Sequence, residues 1–380
     1  MEQMSENNML LFRARLLLEE GRSEAALNVL EAIVPDSEMQ RQEVAYFLGW
    51  CYILLKRWGD ATDVLTPLSP SVDDEGGLES HIDRERQAIC LFHLGYAAVQ
   101  FARFDEASRH FGRCIKMLND KRVHLSPMLR IKAHYSLAMS LMMRGLLEAA
   151  IQQYNEALHH FLHVEDEEEK AHIFYGLSDT YRRAGELEKA ELAGEEALKR
   201  YVKVGNVVRE GITRNLLGQI ALEKKDYRMA SDHFTEALAI GNTHGGPMMA
   251  MMNCAALAEV RLAEDRLDEA KRFCTLACDL IDKVKNTYFC SQMYLTCAKV
   301  SHTVALQARD EERRQLLEET IRYLEKAKSA LTGSDADADV AEIYKLWAQT
   351  LEELGLYQEA FAILRSGYET LSKAQGPAWY

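Results

Sequence analysis

Four stretches of this chain lie over one another without a gap, forty residues apart, and few folds accommodate such a pattern. YSLAMSLMMRGLLEAAIQQYNEAL, YGLSDTYRRAGELEKAELAGEEAL, NLLGQIALEKKDYRMASDHFTEAL and AALAEVRLAEDRLDEAKRFCTLAC bring Leu137, Leu177, Leu217 and Leu257 into register. Small residues then fall in columns: Ala138, Ser178, Gly218 and Ala258; Ala150, Ala190, Ala230 and Ala270; Ala157, Ala197, Ala237 and Ala277. Small side chains at fixed spacing let two antiparallel helices cross closely, with leucines filling the space beside the crossing. The repeat predicts an all-α helical-repeat solenoid in which each helix pair stacks on the next.

The columns resemble the tetratricopeptide repeat, a helix pair with a small residue and a tyrosine in its first helix and alanines and a phenylalanine in its second. Gly218, Ala230, Phe234 and Ala237 match one unit, and Ser178, Tyr181, Ala190 and Ala197 match another. The period is forty residues rather than about thirty-four, which implies longer second helices. Such units look like those of kinesin light chains, polarity adaptors and the Rap/PlcR-like peptide sensors of Gram-positive bacteria. The resemblance implies a right-handed superhelix of about nine helix pairs.

Extended in both directions, the pattern reads as one array over 1–380, with units at about 7–34, 42–68, 86–118, 131–163, 171–205, 211–242, 251–285, 291–331 and 341–373. The linker TPLSPSVDDEGGLESH reads as a surface loop. In the eighth unit ALQARDEERRQLLEE delays the second helix by about ten residues, which predicts a long helix pair or a local hinge. Met9, Leu10, Leu11, Phe12, Leu16, Leu17 and Leu18 cover more of the first helix than one packed face requires. Surface assigned to Met9, Leu11, Phe12, Leu16 and Leu18, and at the other end to Phe361, Tyr368 and Leu371, predicts a homodimer formed through terminal helices.

A net charge of −14 and a pI near 5.4 argue against duplex DNA or an anionic membrane as a direct partner. The start MEQMSENN lacks a signal peptide's basic region, and no apolar run approaches the roughly eighteen residues of a membrane span, so the expected location is the cytoplasm. The eight cysteines show no CxxC. Cys274 stands where Phe234 stands one unit earlier and Cys297 where Leu257 does, which reads as reduced core packing, with a zinc or redox cluster between Cys254 and Cys297 as the second reading. His159, His160 and His163 precede the acidic run from Glu165 to Glu169; complementing a helix end explains them more simply than a metal does. No Gly-rich phosphate loop, HExxH or nucleophile elbow is present. The expectation is a non-enzyme without cofactor or metal.

Helix periodicity directs residues three before, one after and four to five after the small column towards the concave face. In the first half these are Tyr46, Trp50, Phe92, Tyr96, Tyr135, Met139, Met142 and Met143; in the middle, Tyr175, Asp179, Arg182, Arg183, Asn215, Gln219, Glu223 and Glu259. Aromatic and methionine surface offers pockets for side chains, while arginine and amide donors suit peptide backbone and carboxylate. The residues assigned to a peptide or partner helix are Tyr135, Met139, Met143, Tyr175, Asp179, Arg182, Arg183, Asn215 and Gln219. The competing reading has Arg182 and Arg183 paired with acids such as Glu186 and Glu223 on a solvated face.

The family resemblance refines this. Chaperone-binding members clamp a carboxylate with Lys and Asn on successive first helices; here only the last unit has a counterpart, Lys345 with Gln349, so a chaperone adaptor is not expected. In Rap/PlcR-like sensors, asparagines on first helices hold an oligopeptide backbone, a role that Asn215 fits. Those sensors carry an N-terminal helix-turn-helix or helical bundle as output, whereas this sequence begins in repeats. Two functions follow: a non-enzymatic protein-interaction scaffold, or a peptide-responsive regulator of a response regulator or of transcription whose output domain is absent.

Overall fold

The computed structural model describes residues 6–69, 83–120, 126–331 and 337–374. Among them are eighteen α-helices and no strand. Their contacts gather into two compact units, Met1–Glu186 and Leu187–Tyr380, each described by itself. The first unit holds α1 (Glu6–Glu19), α2 (Ser23–Glu31), α3 (Glu38–Leu54), α4 (Trp58–Leu65), α5 (Arg84–Gln100), α6 (Phe104–Leu118), α7 (Pro127–Met143), α8 (Leu147–His159) and α9 (Glu167–Arg183). The second holds α10 (Leu187–Val204), α11 (Val207–Glu223), α12 (Tyr227–Ile240), α13 (Gly246–Ala263), α14 (Leu267–Cys278), α15 (Thr287–Gln307), α16 (Asp310–Ala330), α17 (Asp337–Glu353) and α18 (Tyr357–Ala374). Within each unit every helix packs on its neighbour in the chain.

Local chemistry sets the helix boundaries. Asp83, Asp166, Asn206 and Asp226 each accept a hydrogen bond from the backbone N–H three residues on, which fixes the starts of α5, α9, α11 and α12. The turn after a first helix passes through the left-handed region, at Gly145 (φ 75°) and Gly355 (φ 76°) but also at Ala102 (φ 55°), Lys225 (φ 62°) and Asp265 (φ 59°). A side chain in that region costs roughly 1–2 kcal/mol, so packing of the pair enforces the turn even where glycine is missing.

The small columns mark the helix crossings. A Cβ added to Gly95 would lie 2.7 Å from the Phe111 ring, and one added to Gly218 would lie 2.6 Å from the Phe234 ring. Both rings are fully buried, as are the alanines of the two second-helix columns from Ala150 to Ala277. The insertion in the eighth pair yields a long helix pair: α15 and α16 have 21 residues each. They are strapped at two levels, by Ser301 Oγ donating to the Leu316 carbonyl at 3.1 Å and Ser291 Oγ to the Ala327 carbonyl at 2.9 Å.

On α1, Leu11, Leu17 and Leu18 are buried, which corrects the assignment of Leu11 and Leu18 to the surface; Met9, Phe12 and Leu16 remain exposed. Phe361 and Tyr368 on α18 are also exposed. The side chain of Leu371, most of the linker over 66–81 and the final GPAWY lie outside the described residues. Among the described residues no helix is long and apolar enough to cross a membrane.

Candidate functional site

In the first unit, α7 and α9 carry the predicted row. Lys132 Nζ lies 3.0 Å from Glu169 Oε1 and ties the two helices together. Hydrogen bonds from His172 and Lys132 hold the Glu169 carboxyl down to about 2, against the burial that raises it. On α9, Asp179 gathers both arginines: Arg182 Nη2 reaches Oδ1 and Arg183 Nε reaches Oδ2, each at 3.0 Å. The three residues thus form one planar-donor cluster, with Arg183 exposed and Asp179 largely covered.

The apolar members divide. Met143 is exposed, Met139 and Tyr175 are half-buried, and half-buried Tyr135 packs edge-on against the buried Tyr154 ring with centroids 5.8 Å apart. Tyr46, read as a groove residue, is only 7% exposed, so it belongs to the core beneath Arg86. Phe92 packs at a tilt against Phe111 with ring centroids 5.7 Å apart, whereas Tyr96 is exposed.

The second unit places its polar residues in a chain of amides. Gln219 Nε2 donates to Asn215 Oδ1 at 2.9 Å, and Asn215 Nδ2 donates across to Asn253 Oδ1 on α13, also at 2.9 Å. Asn253 Nδ2 then donates to the Met249 carbonyl at 2.8 Å. One pair further on, Thr296 Oγ1 of α15 donates to Glu259 Oε1 of α13 at 2.9 Å. Side-chain hydrogen bonds therefore link three successive first helices and orient Asn215, Gln219 and Glu259. Asn253 is absent from the residues read from sequence. Its signal is an asparagine in a column otherwise occupied by Ala133, Ile173 and Thr213.

Sequence reasoning also missed a groove of about 730 Å³ beside the lengthened α16. Leu317, Ile321, Trp347, Leu351 and Ile363 line it, with Arg313, Arg314, Glu318, Glu325 and Glu359 also around it. Its volume lies within the range of small-ligand sites. Elsewhere, His134 and His160 stack with centroids 5.3 Å apart, and burial lowers the pKa of both. His134 Nδ1 bonds Gln153 Oε1 at 2.9 Å; the side chain of His163 lies outside the described residues. Among the described residues no group of three or more His, Cys, Asp or Glu is arranged to hold a metal ion.

Residues 129–203 match the family model described as tetratricopeptide repeat. The fold is a helical-repeat array of the tetratricopeptide type. The solved structures with this fold include apo RapI, at TM-score 0.69 and 13% identity over 97% of this chain and 99% of that one. The apo quorum sensor NprR from B. thuringiensis superposes at 0.65 and 14% identity, over 96% and 98%. Aspartyl phosphate phosphatase F from Bacillus subtilis superposes at 0.52 and 15% identity, over 92% and 98%. At such identities the likeness of this tetratricopeptide array to those proteins is one of fold. No curated protein matches the chain in sequence.

Proposed function

We propose that this tetratricopeptide array is a non-catalytic interaction module that holds a peptide or a partner helix against the first helices of its repeats. The observation that carries the reading is the amide chain Gln219–Asn215–Asn253. Each amide nitrogen has two hydrogens and each amide oxygen two lone pairs. After the bonds they make, Asn215 keeps one N–H, and Gln219 keeps one N–H and its whole oxygen. A donor beside an acceptor at fixed orientation matches a peptide group, which offers the reverse pair. In the first unit, Met139, Met143 and Tyr175 supply apolar contact and Arg183 a charged donor to the same class of ligand.

The test is selection from a random peptide display library on the purified chain, followed by titration of the selected peptide. Saturable binding with a Kd of about 10 μM or tighter, lost with Gln219→Ala, supports the reading. Peptides that bind wild type, Gln219→Ala and Arg183→Ala equally contradict it.

A second reading makes the same site a switch. The likeness to RapI and NprR runs over nearly their whole length as well as this chain's, and it favours a peptide-responsive regulator in which the ligand shifts the population between two conformations of the array. Its target would be another protein, and the phosphatase among the structures of this fold makes aspartyl-phosphate hydrolysis on a response regulator the activity to assay with and without the selected peptide. In either reading the protein acts in the cytoplasm, with no nucleic acid or membrane as direct partner.

A further inference from the structure

Three sulfurs converge where α14 meets α15. Cys278 closes α14, and Met293 and Cys297 stand one turn apart on α15. Cys297 Sγ lies 3.4 Å from Met293 Sδ, and Cys278 Sγ lies 4.0 Å from the same atom. Cys297 is 2% exposed and Met293 1%, while Cys278 is half-buried. A small oxidant therefore meets Cys278 first and finds Cys297 behind it.

The pair stands out from the repeat. The column of Cys278 holds Leu158, Leu198 and Leu238 in the preceding units, and that of Cys297 holds Leu137, Leu177, Leu217 and Leu257. One unit earlier, Leu238 and Leu257 share a core cluster. Two leucine positions that meet in one core cluster are thus both cysteine one unit on, where Cys297 and Cys278 again share a cluster.

The environment also prepares the two thiols differently. A hydrogen bond from Cys297 draws the Cys278 thiol down to about 7, with help from the Lys326 charge and the Tyr323 hydroxyl, while burial and Asp279 oppose it. Hydrogen bonding with Cys274 and Cys278, together with burial, pushes Cys297 far above the ordinary thiol range. A reachable thiolate beside a protonated thiol is the arrangement of an oxidisable cysteine and its resolving partner.

We propose that Cys278 and Cys297 form a hydroperoxide-sensitive dithiol that closes to a disulfide between α14 and α15. The Cys278 thiolate attacks one peroxide oxygen; an S–O bond forms, the O–O bond breaks, and the other oxygen leaves with a proton as alcohol or water. Cys297 loses its proton and attacks the resulting sulfenic sulfur; the S–S bond forms, the S–O bond breaks, and water leaves. In sum two thiols and one hydroperoxide give one disulfide, one alcohol or water, and one further water. The two electrons pass from the sulfurs to the peroxide.

The test treats the full chain with hydrogen peroxide, blocks remaining thiols and digests with trypsin. Cleavage after Arg272, Lys283, Lys285 and Lys299 gives one peptide with Cys274 and Cys278 and another with Cys290 and Cys297. The expected product is these two peptides joined through Cys278 and Cys297. Cys278→Ser should abolish the link, and Cys297→Ala, which also removes the hydrogen bond that acidifies Cys278, should give more slowly a sulfenic acid at Cys278 that dimedone traps. Linkage through Cys274 or Cys290, a link that survives Cys278→Ser, or oxidation confined to Met293 overturns the proposal. The mapping on wild type decides the outcome even if the Cys297→Ala variant fails to fold.

Discussion

Asn215 on α11 donates its side-chain amide to Asn253 on α13 at 2.9 Å, and Asn253 is completely buried. The bond joins successive first helices, so it serves folding as well as any ligand. Asn215→Ala leaves the buried Asn253 oxygen without its donor, at a cost of about 1–3 kcal/mol. Gln219→Ala, at the half-buried end of the same chain, should cost under about 1 kcal/mol. Urea denaturation distinguishes the two; equal and small effects would mean that the amide chain adds no stability.

The helix crossings give a second prediction. Gly218→Ala places a methyl group 2.6 Å from the fully buried Phe234 ring, which must shift, so destabilisation of about 1–3 kcal/mol is expected. Ala190→Glu, which puts a carboxylate at a position with no exposure, should cost more, about 3 kcal/mol or above. Thermal midpoints unchanged in both variants would contradict the forty-residue register.

Acid should loosen the first unit through Glu169. Its folded pKa, about 2, lies below the model-peptide value of 4.5, so the Lys132 and His172 contacts contribute in full above pH 4.5 and are lost as pH falls through about 2. Allowing for its partial exposure, the contribution is about 1–2 kcal/mol. Stability measured from pH 7 to pH 2 should fall less steeply below pH 4.5 in Glu169→Gln than in wild type. Identical pH profiles would show that Glu169 contributes nothing.

The terminal helices predict association. Met9, Phe12 and Leu16 are 54%, 57% and 43% exposed, and Phe361 and Tyr368 are 71% and 75% exposed. Light scattering is expected to report a dimer that Phe12→Glu or Phe361→Glu converts to monomer. A wild-type monomer across a hundredfold range of concentration would remove the dimer.

The fold was legible because small residues such as Gly218 and Ala230 fall in columns that only a close helix crossing explains. The first-helix row was partly legible: periodicity put Asp179, Arg182, Asn215 and Gln219 on first helices, but it could not say that Arg182 and Arg183 bend back onto Asp179, since i,i+3 and i,i+4 geometry permits many partners. Asn253 was hidden because its column holds Ala133, Ile173 and Thr213 in the preceding units and nothing local marks a buried amide as bonded across helices. Leu11 and Leu18 were misassigned because an all-round apolar helix does not reveal which face α2 covers. The groove beside α16 depends on where the inserted turns of the eighth pair overhang the ninth, which composition does not encode.

The most direct measurement is calorimetric titration of a display-selected peptide into wild type, Gln219→Ala and Arg183→Ala. Gln219 and Arg183 are better reporters than Asn215, whose loss also unsettles Asn253. Each variant should remain folded, and a peptide that uses the first-helix rows should bind one or both about tenfold more weakly than wild type. Undiminished affinity in both folded variants would contradict the central claim and move the binding surface away from the first helices.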